Sequence, residues 1–236
     1  MSINATVLPK LGMLGSAAKA GTVSGLFREA NDWTPQNFAS EQIRSLVRRV
    51  FFMTGAQPVR HVVFSAAQAN TDVGLICDQV GRALAMETSA EVAIVSRNSA
   101  PAETVPLQPR SGCSENTGIK SRSSRIAANL WRVPQPSLRE ICRDAGVGRF
   151  WISSLAELQN DFEYLVIHGP AAGASSESVL LGQLADGIIL VLEAHNTKRA
   201  TARKIKETLE ESHSRILGTV LSERTFPVPE RLYRRL

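Results

Sequence analysis

The stretch YLVIHGPAAGASSESVLLGQLADGIILVLEAHNTKRATARKIKETLEESHSRILGTVLS (164–222) holds three apolar runs separated by two helical patterns. YLVIH (164–168), GIILVLE (187–193) and ILGTVLS (216–222) are continuous apolar segments of strand length, without the alternation of a half-exposed strand. SESVLLGQLA (176–185) and TKRATARKIKETLEESHS (197–214) read as helices between them. Strands that are apolar throughout are covered on both faces, and strands that alternate with helices form parallel sheets. The stretch therefore predicts a doubly wound α/β domain.

The pattern extends towards the N-terminus. FWISSLAELQN (150–160) and SLREICRDA (137–145) read as helices, and LWRV (130–133) as a strand. EVAIV (91–95) and HVVFS (61–65) are strands, and in VGLICDQVGRALA (73–85) Val73, Ile76, Cys77, Val80 and Leu84 share one helical face. EQIRSLVRRVFF (41–52) reads as a helix with Ser40 as its N-cap and Glu41 against its positive end. Residues 1–40 show no sustained period and read as a flexible N-terminal arm, followed by a single domain over 41–236. Residues 96–128, rich in Ser, Pro, Asn and Arg, read as a mobile insertion. The tail ERTFPVPERLYRRL reads as extended around Pro227 and Pro229.

With 236 residues, 43% hydrophobic and 21% charged, the chain has globular composition. Cys77, Cys113 and Cys142 are too few and too scattered for a disulfide framework or a metal cluster, and suit a reducing compartment. The first residues lack a basic stretch followed by an apolar core, and no apolar run approaches the roughly 20 residues that span a bilayer. The expectation is a soluble cytoplasmic protein. The net charge of +5 suits an acidic partner or simply keeps the protein soluble. The arginine clusters at 48–49 and at 231, 234 and 235 lack the interleaved aromatics of a single-strand platform, so a nucleic-acid partner is not expected.

Ligands of doubly wound folds bind beyond the carboxyl ends of the strands. The segments there carry a resemblance. VVFSAAQANTDVGLICDQVGRALA, NLWRVP (129–134), DFEYLVIHGPA (161–171), LADGIILVLEAHNTKRATARKIKETL (184–209), ILGTVLSER (216–224) and the terminal YRRL follow one another as in the MinD/ParA-type P-loop ATPases. Within these, the chain resembles the CpsD/CapB-like bacterial tyrosine kinases that work with polysaccharide chain-length regulators. The resemblance implies a P-loop NTPase fold, ATP and magnesium as cofactors, and a membrane polysaccharide co-polymerase as partner, with the chain peripheral at the inner membrane.

The residues depart from that pattern at each nucleotide contact. A phosphate loop needs glycines whose backbone N–H groups wrap phosphate, a lysine, and a Ser or Thr for magnesium. Residues 65–75 read SAAQANTDVGL: Ser65 opens the loop, Asp72 or Val73 stands at the lysine position, and Gly74 is the first glycine. A carboxylate at a helix N-terminus favours the helix dipole and repels phosphate. Asp72 reads as an N-cap, with Thr71 the alternative. Ser96, Arg97 and Asn98 stand where the family has its acidic pair, and His168 where it has an aspartate. His168 is a poor magnesium ligand and reads as a hydrogen-bonded residue at a strand end or, alternatively, a catalytic one. Ser222 replaces the asparagine that reads adenine in the family. Arg97 or Lys198 could serve a substitute arrangement.

Two further family features differ. In place of a terminal tyrosine cluster there are only Tyr164 and Tyr233. Glu41, Arg44 and Arg48 form E-x-x-R-x-x-x-R, one residue longer than the family's subunit-contact motif, with i, i+3 and i+7 spacing that suits one helical face. They read as a weak homo-oligomer or partner contact, or as ordinary surface charges. The expectation is a non-catalytic member of the exopolysaccharide machinery without cofactor. The alternative is an active ATP-dependent tyrosine kinase with an atypical nucleotide site.

Overall fold

The computed structural model describes residues 5–9, 35–53, 58–69, 71–97, 119–135 and 146–224. The strands are β1 (Ala5–Pro9), β2 (His61–Ala66), β3 (Val92–Ser96), β4 (Ser124–Ala127), β5 (Leu130–Pro134), β6 (Tyr164–His168), β7 (Gly187–Glu193) and β8 (Ile216–Arg224). The helices are α1 (Pro35–Val47), α2 (Val73–Glu87), α3 (Val147–Asp161), α4 (Glu177–Leu184) and α5 (Arg199–Glu211). The eight strands form one sheet in the order β1-β8-β7-β2-β6-β3-β5-β4, parallel except for the β4–β5 edge pair. This is the doubly wound α/β sheet that the apolar runs predict.

Successive strand residues point to opposite faces, and the two faces collect different helices. Val62 and Phe64 of β2 join Ile43, Leu46, Ile76 and Val80 of α1 and α2 in one core. Val63, between them, joins Leu155 and Leu158 of α3, Leu181 of α4 and Ile205 of α5 in the other. The middle of β2 thus needs apolar residues on both faces, which explains its uninterrupted VVF. On β8 a bulge interrupts the pairing with β7: Ile188 opposes Ile216 while Ile189 opposes Gly218.

Several boundaries differ from the sequence reading. Residues 5–9, expected within a flexible arm, add a parallel strand to the exposed edge of β8. A five-residue strand carries too short a pattern to separate from coil, and its position depends on an edge with unpaired backbone groups. Helix α1 starts at Pro35, ahead of the expected residue 41, and Ser40 lies inside it rather than capping it. Proline suits a first helical position, where its missing N–H has no partner to lose. The α-helical period ends at Val47, and Arg48–Phe52 continue as a wider π-type turn. The expected mobile insertion contains ordered chain at its end, a 3₁₀ turn (Ile119–Arg122) leading into β4. The expected helix 137–145 and the tail 225–236 lie outside the described residues. Among the described residues no helix is long and apolar enough to cross a membrane.

Asn129 links this frame together. Its two side-chain amide hydrogens are shared among the carbonyls of Ala85 at 3.1 Å, Thr88 at 2.8 Å and Ala90 at 3.1 Å, while its backbone carbonyl accepts the N–H of Val92 at 2.9 Å. The end of α2 and the starts of β3 and β5 are held by one residue. Asn129→Ala leaves these carbonyls short of a donor and should cost about 2 kcal/mol. The melting temperature should fall by about 4–8 °C for a chain of this size. Calorimetry of the two proteins tests this, and an unchanged transition would mean that water replaces the amide without loss.

Candidate functional site

The carboxyl ends of β2, β3 and β6 open into a crevice with two adjoining cavities. The larger, about 490 Å³, is lined by the loop after β2, by Arg97, and by His168 and Gly169 at the end of β6. The smaller, about 150 Å³, is lined by Asp78, Ser96 and Arg132. Asp72 and His168 border both.

Several backbone donors of the loop after β2 are spent on the protein itself, while the buried Thr71 hydroxyl has no partner. Ala67 N–H donates to the Val191 carbonyl at 2.9 Å and Val73 N–H to that of Thr71 at 3.0 Å. The Leu75 N–H, in the first turn of α2, donates to the Asp72 carboxylate at 3.1 Å. Asp72 is therefore the N-cap, as its residue type suggests. Ser65 is buried and its hydroxyl donates to the Pro170 carbonyl at 2.5 Å, tying the ends of β2 and β6 together. Ala172 N–H reinforces this link by donating to the Ala66 carbonyl at 2.8 Å. A Cβ on Gly173 would lie 2.7 Å from the Ala67 carbonyl oxygen, so the loop after β6 presses directly on the phosphate-loop position.

The alternatives at the lysine position separate. Val73 is 2% exposed and packs in the α1–α2 core while touching the larger cavity, whereas Asp72 borders both cavities. Gly74 leaves room for His168, whose imidazole would lie 3.7 Å from a Cβ there. Burial lowers the pKa of His168 below its ordinary 6.5, and the Arg97 charge lowers it further, against the opposing pull of Asp72 and Asp78. Ser96 lies at the end of β3 and borders the smaller cavity. Asn98 falls outside the described residues. Ser222 sits on β8, two strands from β2, and its hydroxyl donates to the Leu192 carbonyl at 3.3 Å. Arg97 reaches the crevice; Lys198, at the start of α5, lines neither cavity.

One feature of the site is absent from the sequence reading. Arg132 of β5 donates to Asp78 of α2 at 2.7 Å across the floor of the smaller cavity. A charged residue inside an apolar strand was the available signal, but its partner lies 54 positions away. With Asp72 capping the helix and Asp78 held by Arg132, both carboxylates of the crevice are engaged within the chain. No group of three or more His, Cys, Asp or Glu side chains among the described residues is arranged to hold a metal ion. Magnesium prefers several oxygen ligands in octahedral geometry. Among the described residues the crevice offers a magnesium ion no carboxylate that lacks a partner within the chain.

No protein-family model matches the chain. Over 66 residues it is 35% identical to the tyrosine-protein kinase CpsD of Streptococcus agalactiae serotype III (strain NEM316), a match spanning 28% of each chain. It is 30% identical over 73 residues to the tyrosine-protein kinase YwqD of Bacillus subtilis (strain 168), covering 30% of this chain and 31% of YwqD. In structure it is similar to the chimerical protein CapA2B2, with TM-score 0.60 at 15% identity, over 80% of this chain and 86% of that one. The kinase domain of the Escherichia coli tyrosine kinase ETK superposes with TM-score 0.57 at 13% identity, over 81% and 78% of the two chains. MinD of Aquifex aeolicus gives TM-score 0.50 at 15% identity, over 75% and 72%. The chain shares the fold of these proteins, and one stretch of fewer than 80 residues is similar in sequence to CpsD and YwqD.

Tyr164 lies in β6 with its ring edge-on to Phe51 at 5.8 Å, inside the frame rather than on a substrate tail. Tyr233 lies outside the described residues. Glu41 and Arg44 are exposed on α1, 3.8 Å apart. Arg48 begins the π-type turn, and its guanidinium donates to Glu87 of α2 at 2.8 Å. It remains near enough to Glu41 to feel its charge, so the three charges stay on neighbouring surface.

Two outcomes follow for the crevice. Asp72→Ala should destabilise the fold by about 0.5–2 kcal/mol, while Asp72→Asn, which keeps a capping oxygen, should lose less. Urea unfolding measures both, and equal stability of the alanine variant would show a loop residue without a capping role. His168 favours its neutral form in the folded state, so its contribution is complete above pH 6.5 and is lost as the pH falls from there towards the lower folded value. His168→Gln should flatten part of the loss of melting temperature between pH 7.5 and 5.5, and the His61 background, also lowered by burial, should remain. A proton titration of His168 with its midpoint at or above 6.5 would contradict the assignment.

Proposed function

We propose that the protein is a non-catalytic component of exopolysaccharide biosynthesis and export, acting at the cytoplasmic segment of a membrane polysaccharide co-polymerase. The observation that carries the reading is the Asp72 carboxylate bound to the Leu75 N–H, where a phosphate-binding loop would leave its N–H groups open. Phosphoryl transfer is almost entirely the placement of metal ions and positive charge around the moving phosphate. Here a carboxylate stands at the helix end, and the second carboxylate of the crevice is neutralised by Arg132. The kinase names of the CpsD and YwqD relatives support a place in that machinery, and their short matched stretch leaves activity and partner to this proposal. Self-association through α1 is weak in this reading, because Glu41 and Arg44 are exposed and such pairs are worth about 0–1 kcal/mol.

One observation favours a second reading, an ATP-dependent tyrosine kinase with an atypical site. Arg97 lines the larger cavity and could face an anion there. Calorimetric titration with Mg-ATP at millimolar concentration separates the two. The non-catalytic reading expects no saturable heat, and Asp72→Lys should not create ATP hydrolysis, since the metal ligands are still missing. Saturable binding in the micromolar range would overturn it in favour of the kinase. Binding of the purified co-polymerase cytoplasmic segment, measured with wild type and Asp72→Asn, should be equal and independent of nucleotide.

A further inference from the structure

On the face of the sheet opposite α1 and α2, a groove of about 380 Å³ runs between α5 and strands β7 and β8. It shares no lining residue with the crevice. Its floor is apolar: Leu190 and Leu192 from β7 and Ile216 from β8. The bulge that separates Ile216 from Gly218 in the β7 register turns Thr219 onto the same side as Leu190, its partner across the pair. Helix α5 buries Ile205 and Leu209 against the sheet. An adjoining stripe, Arg199, Ala202, Arg203 and Lys206, lines the groove at i, i+3, i+4 and i+7.

The charge along that stripe is one-sided. The first turn of α5 holds no acidic residue, and no side chain caps its N-terminus. Cations there run against the helix dipole, which favours negative charge at that end. Arg203 and Lys206 each meet one glutamate, at 3.1 Å and 3.0 Å, both pairs solvent-exposed. Arg199 has no partner among the described residues. An apolar floor beneath a row of cations at a positive helix end is complementary to an occupant that is apolar on one side and anionic on the other. A bilayer does not fit well. Surface-binding helices insert protruding apolar side chains, and no large apolar residue of α5, β7 or β8 is exposed among the described residues. The floor is recessed, so the occupant must reach in.

We propose that this groove docks an acidic segment of a partner protein, whose aliphatic or aromatic side chains enter between α5 and β7–β8 while its carboxylates meet Arg199, Arg203 and Lys206. The docking is independent of nucleotide and of the crevice, so it stands or falls separately from the function proposed above. Selection of a random 12-residue peptide library displayed on phage, against the full chain, tests it without a known partner. The enriched peptides should combine Asp or Glu with two or more large apolar residues. Labelled copies should bind with an affinity that falls with salt. Arg199→Glu with Arg203→Glu should weaken them at least tenfold, Arg203→Lys should bind nearly as well, and Ala202→Trp should fill the groove and abolish binding. Because the tryptophan could disturb folding, the exposed arginine variants, checked for an unchanged melting temperature, carry the test if it does. No enrichment, neutral or basic peptides, or peptides indifferent to the arginine variants overturn the proposal. So does groove-dependent binding of phosphatidylglycerol vesicles or of a 30-base-pair DNA duplex, which would assign the cations to a membrane or to nucleic acid.

Discussion

The structure depends on the placement of β2 between β6 and β7, with apolar side chains packed on both of its faces. Val62 and Phe64 bind it to the α1–α2 layer and Val63 to the α3–α5 layer, so the strand has little freedom to slide. A shift of one residue would exchange the two cores. With β2 fixed, the loop that follows begins at one place, and the bonds from Ser65 to Pro170 and from Ala67 to Val191 hold it to both neighbouring strand ends. The start of α2 is then determined, and with it the positions of Asp72 and Gly74 against His168. The crevice is a consequence of strand packing, and the residues within it decide only its chemistry.

That division explains what the sequence makes legible. Parallel strands covered on both sides must be apolar throughout, so β2, β3, β6 and β7 stand out as runs. The cap at Asp72 is legible because its partner, Leu75, is three residues away. Interactions whose partners are remote are not. Arg132 and Asp78 meet only because the chain order places β5 beside β3 and under α2. β1 is stabilised by an edge that exists only once β8 is in the sheet, and its five residues contain nothing that announces it. The bond from Arg48 to Glu87 is hidden for the same reason, since the two residues are 39 positions apart.

The electrostatics of the crevice are consistent across its parts. A phosphate loop holds several N–H groups without protein partners and depends on an anion to satisfy them. In this chain each described bond closes one of those needs from within: Val191 accepts from Ala67, Thr71 from Val73, and Asp72 from Leu75. Arg132 is matched by Asp78, and burial together with Arg97 keeps His168 towards its neutral form. The positive end of α2 therefore faces a carboxylate of its own chain.

The end of α5 is arranged in the opposite sense. Its first turn has no acidic residue and no side-chain cap, and its cations lie beside an apolar floor. Within one sheet, the N-terminus of α2 carries a carboxylate cap, while that of α5, on the far face, has no side-chain cap and leaves Arg199 without a partner among the described residues. Uncompensated charge costs stability unless something else balances it, and proteins retain such costs chiefly where they bind. An unmatched arginine beside an apolar floor is a local imbalance of that kind, and the proposed docking on the outer face of the sheet would relieve it.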